Sequence, residues 1–169
     1  MAYITVQERQ IIYQVPQLES RIVQFYQSKK VFTPSELSLR LFNSELNILV
    51  THSAGPARSA KIYDTYEIWI DPDYPLEERR VEIAHEIGHF LLHSGQQLWM
   101  PDDWRLKQEC QANRFSMYAL MPYDLIFGAL EHAPDSEYAL ISYMSDLFRV
   151  PTWFVKNRFA DLEEYVVKL

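Results

Sequence analysis

The most constraining stretch of this 169-residue chain is VEIAHEIGHFLLHSG at residues 81–95, which contains three of its five histidines. Its apolar residues recur at helical spacing, which predicts an amphipathic helix over about residues 76–94 that ends near Gly95. In such a helix His85 and His89 are four residues apart, lie on one face and are separated by about 6 Å along the axis. Two imidazoles in this arrangement can bind one metal ion.

Glu86 directly follows the first of these histidines, so its carboxylate lies to the side of the pair. There it can act as a general base without being a ligand, and this HExxH arrangement is typical of zinc peptidases. The alternative is an ordinary buried amphipathic helix. Its core face would consist of Val81, Ala84, Ile87, Gly88, Leu91 and Leu92. The alternative does not explain Gly88, because glycine within a helix costs about 1 kcal/mol relative to alanine. Close approach of another backbone would explain it.

A catalytic zinc site usually has three protein ligands. On a regular helix His93 lies about 12 Å from His85 along the axis and is rotated by about 80°, so we expect it at the pocket edge and not on the metal. Glu109 is the better candidate, because it lies on the next predicted helix, residues 102–121, after enough chain for a loop and an antiparallel return. Asn113 shares the face of Glu109 and could accept a hydrogen bond from a ligand histidine.

The remaining patterns predict an α+β fold in one domain over residues 1–169, with a catalytic core at 30–132 and a C-terminal helical subdomain at 133–169. A small antiparallel sheet would pack with the histidine helix and the second ligand helix. Further helices are expected at residues 17–29, 33–42, 123–131, 136–148 and 151–165, a strand at 45–52, and a hairpin over 61–71. The strand at residues 66–70 could pair with an extended substrate.

The formal net charge of −7 and the lack of a basic cluster disfavour direct binding to nucleic acid. Residues 137–148 and 152–162 look like a helix-turn-helix. The second helix, however, has Lys156 and Arg158 beside several acidic residues, so we expect packing or partner recognition. The single cysteine, Cys110, excludes an intrachain disulfide and is expected in the core. We expect a cytoplasmic protein without a membrane span, because neither a signal peptide nor a long apolar run is visible.

Taken together, these motifs resemble the ImmA/IrrE family of metallopeptidase-like domains over about residues 30–160. The matching features are Ile68-Trp69-Ile70-Asp71, Ala84 to His93, Glu109-x-x-Ala112-Asn113-x-Phe115, Leu120-Met121-Pro122, and LISYMSDLFRVPTWFVKNRF at residues 140–159. The resemblance implies a gluzincin-like fold, with zinc held by His85, His89 and Glu109, and with Glu86 as the catalytic residue. It also implies site-specific cleavage of helix-turn-helix repressors from mobile elements, prophages or stress regulation.

Several points stay open at this level. A second group that stabilises the oxyanion would be needed in a peptidase. The candidates are His93, Tyr118, Tyr123 and His132. The chain could instead be a regulatory binding module that keeps the metal fold and sequesters a repressor or another partner, although such a module does not need Glu86. A zinc hydrolase acting on a small substrate is a further alternative.

Overall fold

The computed structural model describes residues 2–6, 9–44, 46–93 and 101–168. The chain forms two compact units: Met1–Leu37 with Met121–Leu169, and Ser38–Leu120. The prediction of one domain for the whole chain stays a prediction, and the helix end expected at Gly95 lies outside the described residues. Among the helices in the described ranges, none combines the length and the apolar composition that a membrane span requires.

The unit Ser38–Leu120 contains a three-stranded sheet and two long helices. Its elements are β3 (Ile48–His52), β4 (Arg58–Ile62), β5 (Thr65–Ile70), α2 (Leu76–Leu92) and α3 (Asp102–Leu120). β5 is the central strand; β4 pairs with it antiparallel, and β3 pairs with it parallel. The predicted α+β class is confirmed, with one parallel pair in a sheet that was expected to be antiparallel.

The segment between β3 and β4 crosses the end of the central strand β5. Gly55 has a φ of 103°, a conformation that is unfavourable for residues with a Cβ atom. Its N–H donates to the Asp71 carboxylate at 2.8 Å, which ties the loop to the end of β5. The chain then returns through β4 and turns at Tyr63, which has a φ of 53°. β3 and β4 lie on opposite sides of β5.

α2 packs between this sheet and α3. Ile68 and Ile70 on β5 are buried, and the ring of Tyr66 lies 4.4 Å from that of Phe90 on α2. The buried stripe of α2 consists of Val81, Ala84, Ile87 and Gly88. This stripe repeats at three- and four-residue spacing, as expected for a helix that is covered on one side. The apolar pattern that predicted the helix therefore also determines which side faces the core.

The other unit contains a second sheet and four helices. Its elements are β1 (Ala2–Val6), β2 (Arg9–Tyr13), α1 (Gln17–Ser28), α4 (Tyr123–Leu130), α5 (Glu137–Phe148), α6 (Thr152–Glu164) and β6 (Val166–Lys168). β2 lies between β1 and β6, and both pairs are antiparallel. The four helices agree with the sequence predictions to within two residues. The sheet was not predicted, because its third strand comes from the opposite end of the chain.

The helix predicted over residues 33–42 is wrong. Two short 3₁₀ turns take its place, at Pro34–Glu36 and Leu39–Ser44. The Glu36 carboxylate accepts hydrogen bonds from the N–H groups of Phe32 and Thr33, both at 2.9 Å, as expected for a capping box. Leu37 is extended, and the Ser38 hydroxyl accepts from the Arg40 N–H at 3.3 Å, which starts the second turn. The capping signal was correct, but the helix does not continue past it.

A buried charge network joins four segments of the unit formed by the chain ends. The Arg158 guanidinium donates to the carboxylates of Glu19 and Asp161 and to the carbonyl oxygen of Met121. Glu19 also accepts from the Tyr13 hydroxyl at 2.5 Å and from the Tyr123 N–H at 3.0 Å. Arg158 and Glu19 are fully buried. Burial raises the pKa of Glu19, and the positive charge of Arg158 opposes that rise.

This network changes the interpretation of α6. Arg158 was one of two basic residues on that helix that could contact a phosphate backbone, and its guanidinium is instead engaged inside the protein. Lys156 is exposed. The observation agrees with the expectation that this helix serves packing or partner recognition.

We predict that Arg158→Met lowers the free energy of unfolding by about 3–5 kcal/mol, because two buried carboxylates lose their compensating charge. Lys156→Met, on the exposed side of the same helix, is the matched control and should change it by less than about 0.5 kcal/mol. Urea denaturation followed by circular dichroism measures both. Equal stability of the two variants would contradict the assigned role of Arg158.

Candidate metal centre

The donor atoms of His85, His89 and Glu109 come together between α2 and α3. The Nε2 atoms of the two histidines are 2.9 Å apart. The Glu109 carboxylate lies 3.1 Å from His85 Nε2 and 3.5 Å from His89 Nε2, measured to its two different oxygens. In the part of the chain that the structure describes, these residues form the one cluster of three such donors that could hold a metal ion, with all donor atoms within 4.8 Å of one another.

Gly88 brings α3 close enough for Glu109 to reach the histidines. A Cβ atom at this position would lie 3.1 Å from Phe115 Cβ and 3.2 Å from the backbone Cα of Ala112. Both distances are shorter than ordinary carbon–carbon contacts of about 3.5–4.0 Å. The expectation that Gly88 marks the close approach of another backbone is confirmed, and that backbone belongs to α3.

The arrangement of hydrogen bonds fits a cation at this position. His85 Nδ1 lies 2.8 Å from the side-chain oxygen of Asn113, so the imidazole donates its proton there. In the neutral ring Nε2 then carries a lone pair, which points toward the Glu109 carboxylate and His89. Burial lowers the pKa of His89 to about 4, so this ring is neutral near pH 7. Acceptor atoms that face one another are stabilised by a shared cation, and two imidazoles with one carboxylate are a donor set that zinc favours.

Glu86 lies on the same helix but does not join this cluster. Its carboxylate accepts a hydrogen bond from the Ser59 hydroxyl on β4. Burial raises the pKa of Glu86, while the Ser59 hydrogen bond opposes that rise. Ser59 could not be identified from the sequence, because a serine on a strand is ordinary and only the register of β4 on β5 brings it to α2.

His93 lies beside the cluster, and Cys110 follows Glu109 on α3. His93 Nε2 donates to the backbone oxygen of Gln108 at 3.1 Å, and its ring is 5.4 Å from that of His89. This position at the end of α2 agrees with the pocket-edge interpretation. The prediction that Cys110 lies in the core is wrong, because it is exposed. It precedes the buried Ala112 by two positions, which corresponds to about 200° around the helix.

The other three candidates for oxyanion stabilisation lie in different parts of the chain. Tyr118 on α3 is buried, with 1% of its surface exposed. Tyr123 and His132 belong to the other unit, where the Tyr123 ring lies 5.3 Å from that of Tyr13 and His132 is exposed after the end of α4. Any role of these three residues in catalysis stays a prediction.

The α+β fold and the two-histidine, one-glutamate cluster define a domain of the metallopeptidase-like class. Residues 43–160 match the IrrE N-terminal-like domain family, Peptidase_M78, and the chain belongs to this family. It is 23% identical over 141 residues to the phage-like element PBSX protein XkdA of Bacillus subtilis (strain 168), an alignment that spans 83% of this chain and 70% of that protein. The resemblance to the ImmA/IrrE family that the sequence motifs indicated is therefore confirmed.

A solved structure shows the same fold. It is a Mycobacterium tuberculosis transcriptional regulator, which superposes with a TM-score of 0.62 at 18% sequence identity. The match covers 86% of this chain but 56% of the regulator, so this chain corresponds to little more than half of that protein.

We predict that the protein binds one zinc ion per chain and that His85→Ala or His89→Ala abolishes stoichiometric binding, because each removes one donor of the cluster. Asn113→Ala should weaken binding by about 10–100-fold through the loss of a partner that orients His85. His93→Ala should retain the ion and serves as the control. Elemental analysis and competition with a chromophoric chelator measure these effects. Full zinc occupancy in the His85→Ala protein would contradict the assignment.

We also predict that Gly88→Ala forces α2 and α3 apart and lowers the free energy of unfolding by about 1–3 kcal/mol, as overpacking does. Gly128→Ala, in α4, is the matched control. Its added Cβ would meet nothing within 4 Å, so this change should stabilise the protein by up to about 1 kcal/mol through helix propensity. If Gly88→Ala stabilised the protein as much as Gly128→Ala, the close approach would be of no energetic consequence.

Proposed function

We propose that this chain is a zinc-dependent endopeptidase that cleaves a helix-turn-helix transcriptional repressor at a specific site. The observation that carries the proposal is the convergence of His85, His89 and Glu109 with the separate, hydrogen-bonded carboxylate of Glu86 on the same helix. A metal site that served structure alone would not need this additional carboxylate. Membership of a peptidase family supports the same reaction class.

His85, His89 and Glu109 would hold the metal, and Asn113 would orient His85 through its hydrogen bond. The bound zinc would supply a Lewis acid that polarises the scissile carbonyl and makes water more acidic. Glu86 would take a proton from the attacking water and pass it to the leaving amine. Its raised pKa suits this exchange, because a base that gives its proton back works best when its pKa approaches the working pH.

β4 is the strand best suited to bind an extended substrate. The hypothesis that the strand at residues 66–70 pairs with the substrate is wrong, because this strand is β5 and has a partner on each side. β4 pairs with β5 along one edge, and its Ser59 lies beside Glu86. The backbone groups on the other edge of β4 could pair with an extended segment and present it to that carboxylate.

A repressor is the proposed substrate class for two reasons. The XkdA relative is named as part of a phage-like element, and a structurally similar protein is named as a transcriptional regulator. The formal net charge of −7 also favours encounter with a basic, DNA-binding partner. The substrate would be cut where it exposes an extended or locally unfolded segment.

We predict that Glu86→Gln retains zinc and fold but lowers the rate of cleavage by at least about 100-fold, the usual scale for the loss of a general base. Glu77→Gln, in the exposed first turn of α2, makes the same chemical change away from the cluster and should cleave as the unmodified protein does. Single-turnover assays at equal zinc content provide the comparison. Equal rates for Glu86→Gln and Glu77→Gln would show that Glu86 is not the base.

The substrate class is tested by incubating the zinc-loaded protein with the purified helix-turn-helix repressor encoded beside its gene, and with casein. We expect a single cut in the repressor, identified by mass spectrometry, and little cleavage of casein. Efficient, unselective degradation of casein with the repressor left intact would overturn the repressor proposal. Binding of the repressor without cleavage would favour the alternative of a sequestering module.

A further inference from the structure

Ser59 connects the sheet edge to the carboxylate of Glu86. It lies on β4 directly opposite Ile68 of β5, and paired residues in an antiparallel sheet project to the same face. Ile68 is buried, so this face is directed toward α2. The Ser59 hydroxyl donates to Oε2 of Glu86 across that interface. Within the described ranges it is the one side chain that hydrogen-bonds to this carboxylate.

The Ser59 hydroxyl is important for the orientation of the Glu86 carboxylate because of the groups that surround that carboxylate. The carboxylate is partly removed from water, and the nearby carboxylates of Glu82 and Glu109 repel it. Since the Glu86 side chain has several rotatable bonds, these repulsions alone do not select one position. A hydroxyl fixed on a strand does so, because it holds one oxygen and leaves the other, Oε1, for proton transfer.

We propose that Ser59 is a positioning residue, which holds the Glu86 carboxylate in the orientation needed to accept and return the proton during peptide hydrolysis. This inference rests on the proposed endopeptidase function, and it assigns to β4 a part in catalysis in addition to any pairing with the substrate. Ser59 acts through Glu86, which accepts the hydrogen bond of its hydroxyl.

A purely structural role for the hydroxyl makes different predictions. β4 is already held to β5 by five register pairs, from Arg58–Trp69 to Ile62–Thr65. Loss of a single half-buried hydroxyl should therefore leave the strand in place. A positioning role requires that the turnover number falls while zinc content and substrate affinity remain nearly constant. It also requires that another hydroxyl on the same Cβ atom restores the activity.

The test compares Ser59→Ala and Ser59→Thr in the full-length, zinc-loaded protein, with the neighbouring repressor as substrate. Ser53→Ala is the matched control, because Ser53 contacts Arg58 at 2.8 Å and not Glu86. We expect Ser59→Ala to lower kcat by about 10–100-fold, as loss of a hydrogen bond to a charged group does. KM and zinc content should change by less than about twofold, since neither depends on the orientation of Glu86. Ser59→Thr should recover activity to within about threefold, since threonine keeps the donor and suits a strand.

The outcomes separate this inference from the function on which it rests. Cleavage by the unmodified protein together with an unchanged kcat in Ser59→Ala overturns the inference and leaves the endopeptidase proposal intact. Equal losses in Ser59→Ala and Ser59→Thr also overturn it, because they show that the side-chain volume matters and not the hydroxyl. Absence of cleavage by the unmodified, zinc-loaded protein overturns the endopeptidase proposal and, with it, the catalytic role of Ser59.

Discussion

The contact between α2 and α3 at Gly88 is the constraint on which the site depends. Because this residue has no Cβ atom, Ala112 and Phe115 can approach the backbone of α2 more closely than a side chain would allow. Glu109 lies one turn before Ala112, so the same approach brings its carboxylate to the two histidines. The close packing of α2 on α3 therefore also determines the positions of the three donor side chains.

Around this contact, each polar group has a distinct partner. Asn113 orients His85, Gln108 accepts from His93, and Ser59 donates to Glu86. The result is a separation of roles between neighbouring residues on α2. His85 and His89 point toward Glu109, while Glu86 points toward the sheet and keeps an acceptor oxygen for proton transfer. The proposed chemistry uses this difference between the two sides of one helix.

The periodic features of the sequence were sufficient to predict much of this arrangement. The spacing of His85, His89 and Glu109, with Gly88 between the histidines, led to the cluster that the structure contains. Local sequence patterns did not predict the features that depend on pairing between residues distant in the sequence. Strand β2 pairs with β6, which lies near the opposite end of the sequence, and β3 pairs parallel with β5. The contact between Ser59 and Glu86 depends on the register of β4 on β5. The burial of Arg158 could not be predicted either, because its partner Glu19 is far away in the sequence.

X-ray absorption spectroscopy of the zinc-loaded protein at the zinc edge tests the central claim most directly. The account predicts one ion per chain, with two imidazole nitrogens and a carboxylate oxygen at about 2.0–2.2 Å and no sulfur ligand. A sulfur scatterer at about 2.3 Å, which Cys110 would supply, would contradict it. A shell of three imidazoles would contradict it as well, because His93 would then replace Glu109 on the metal.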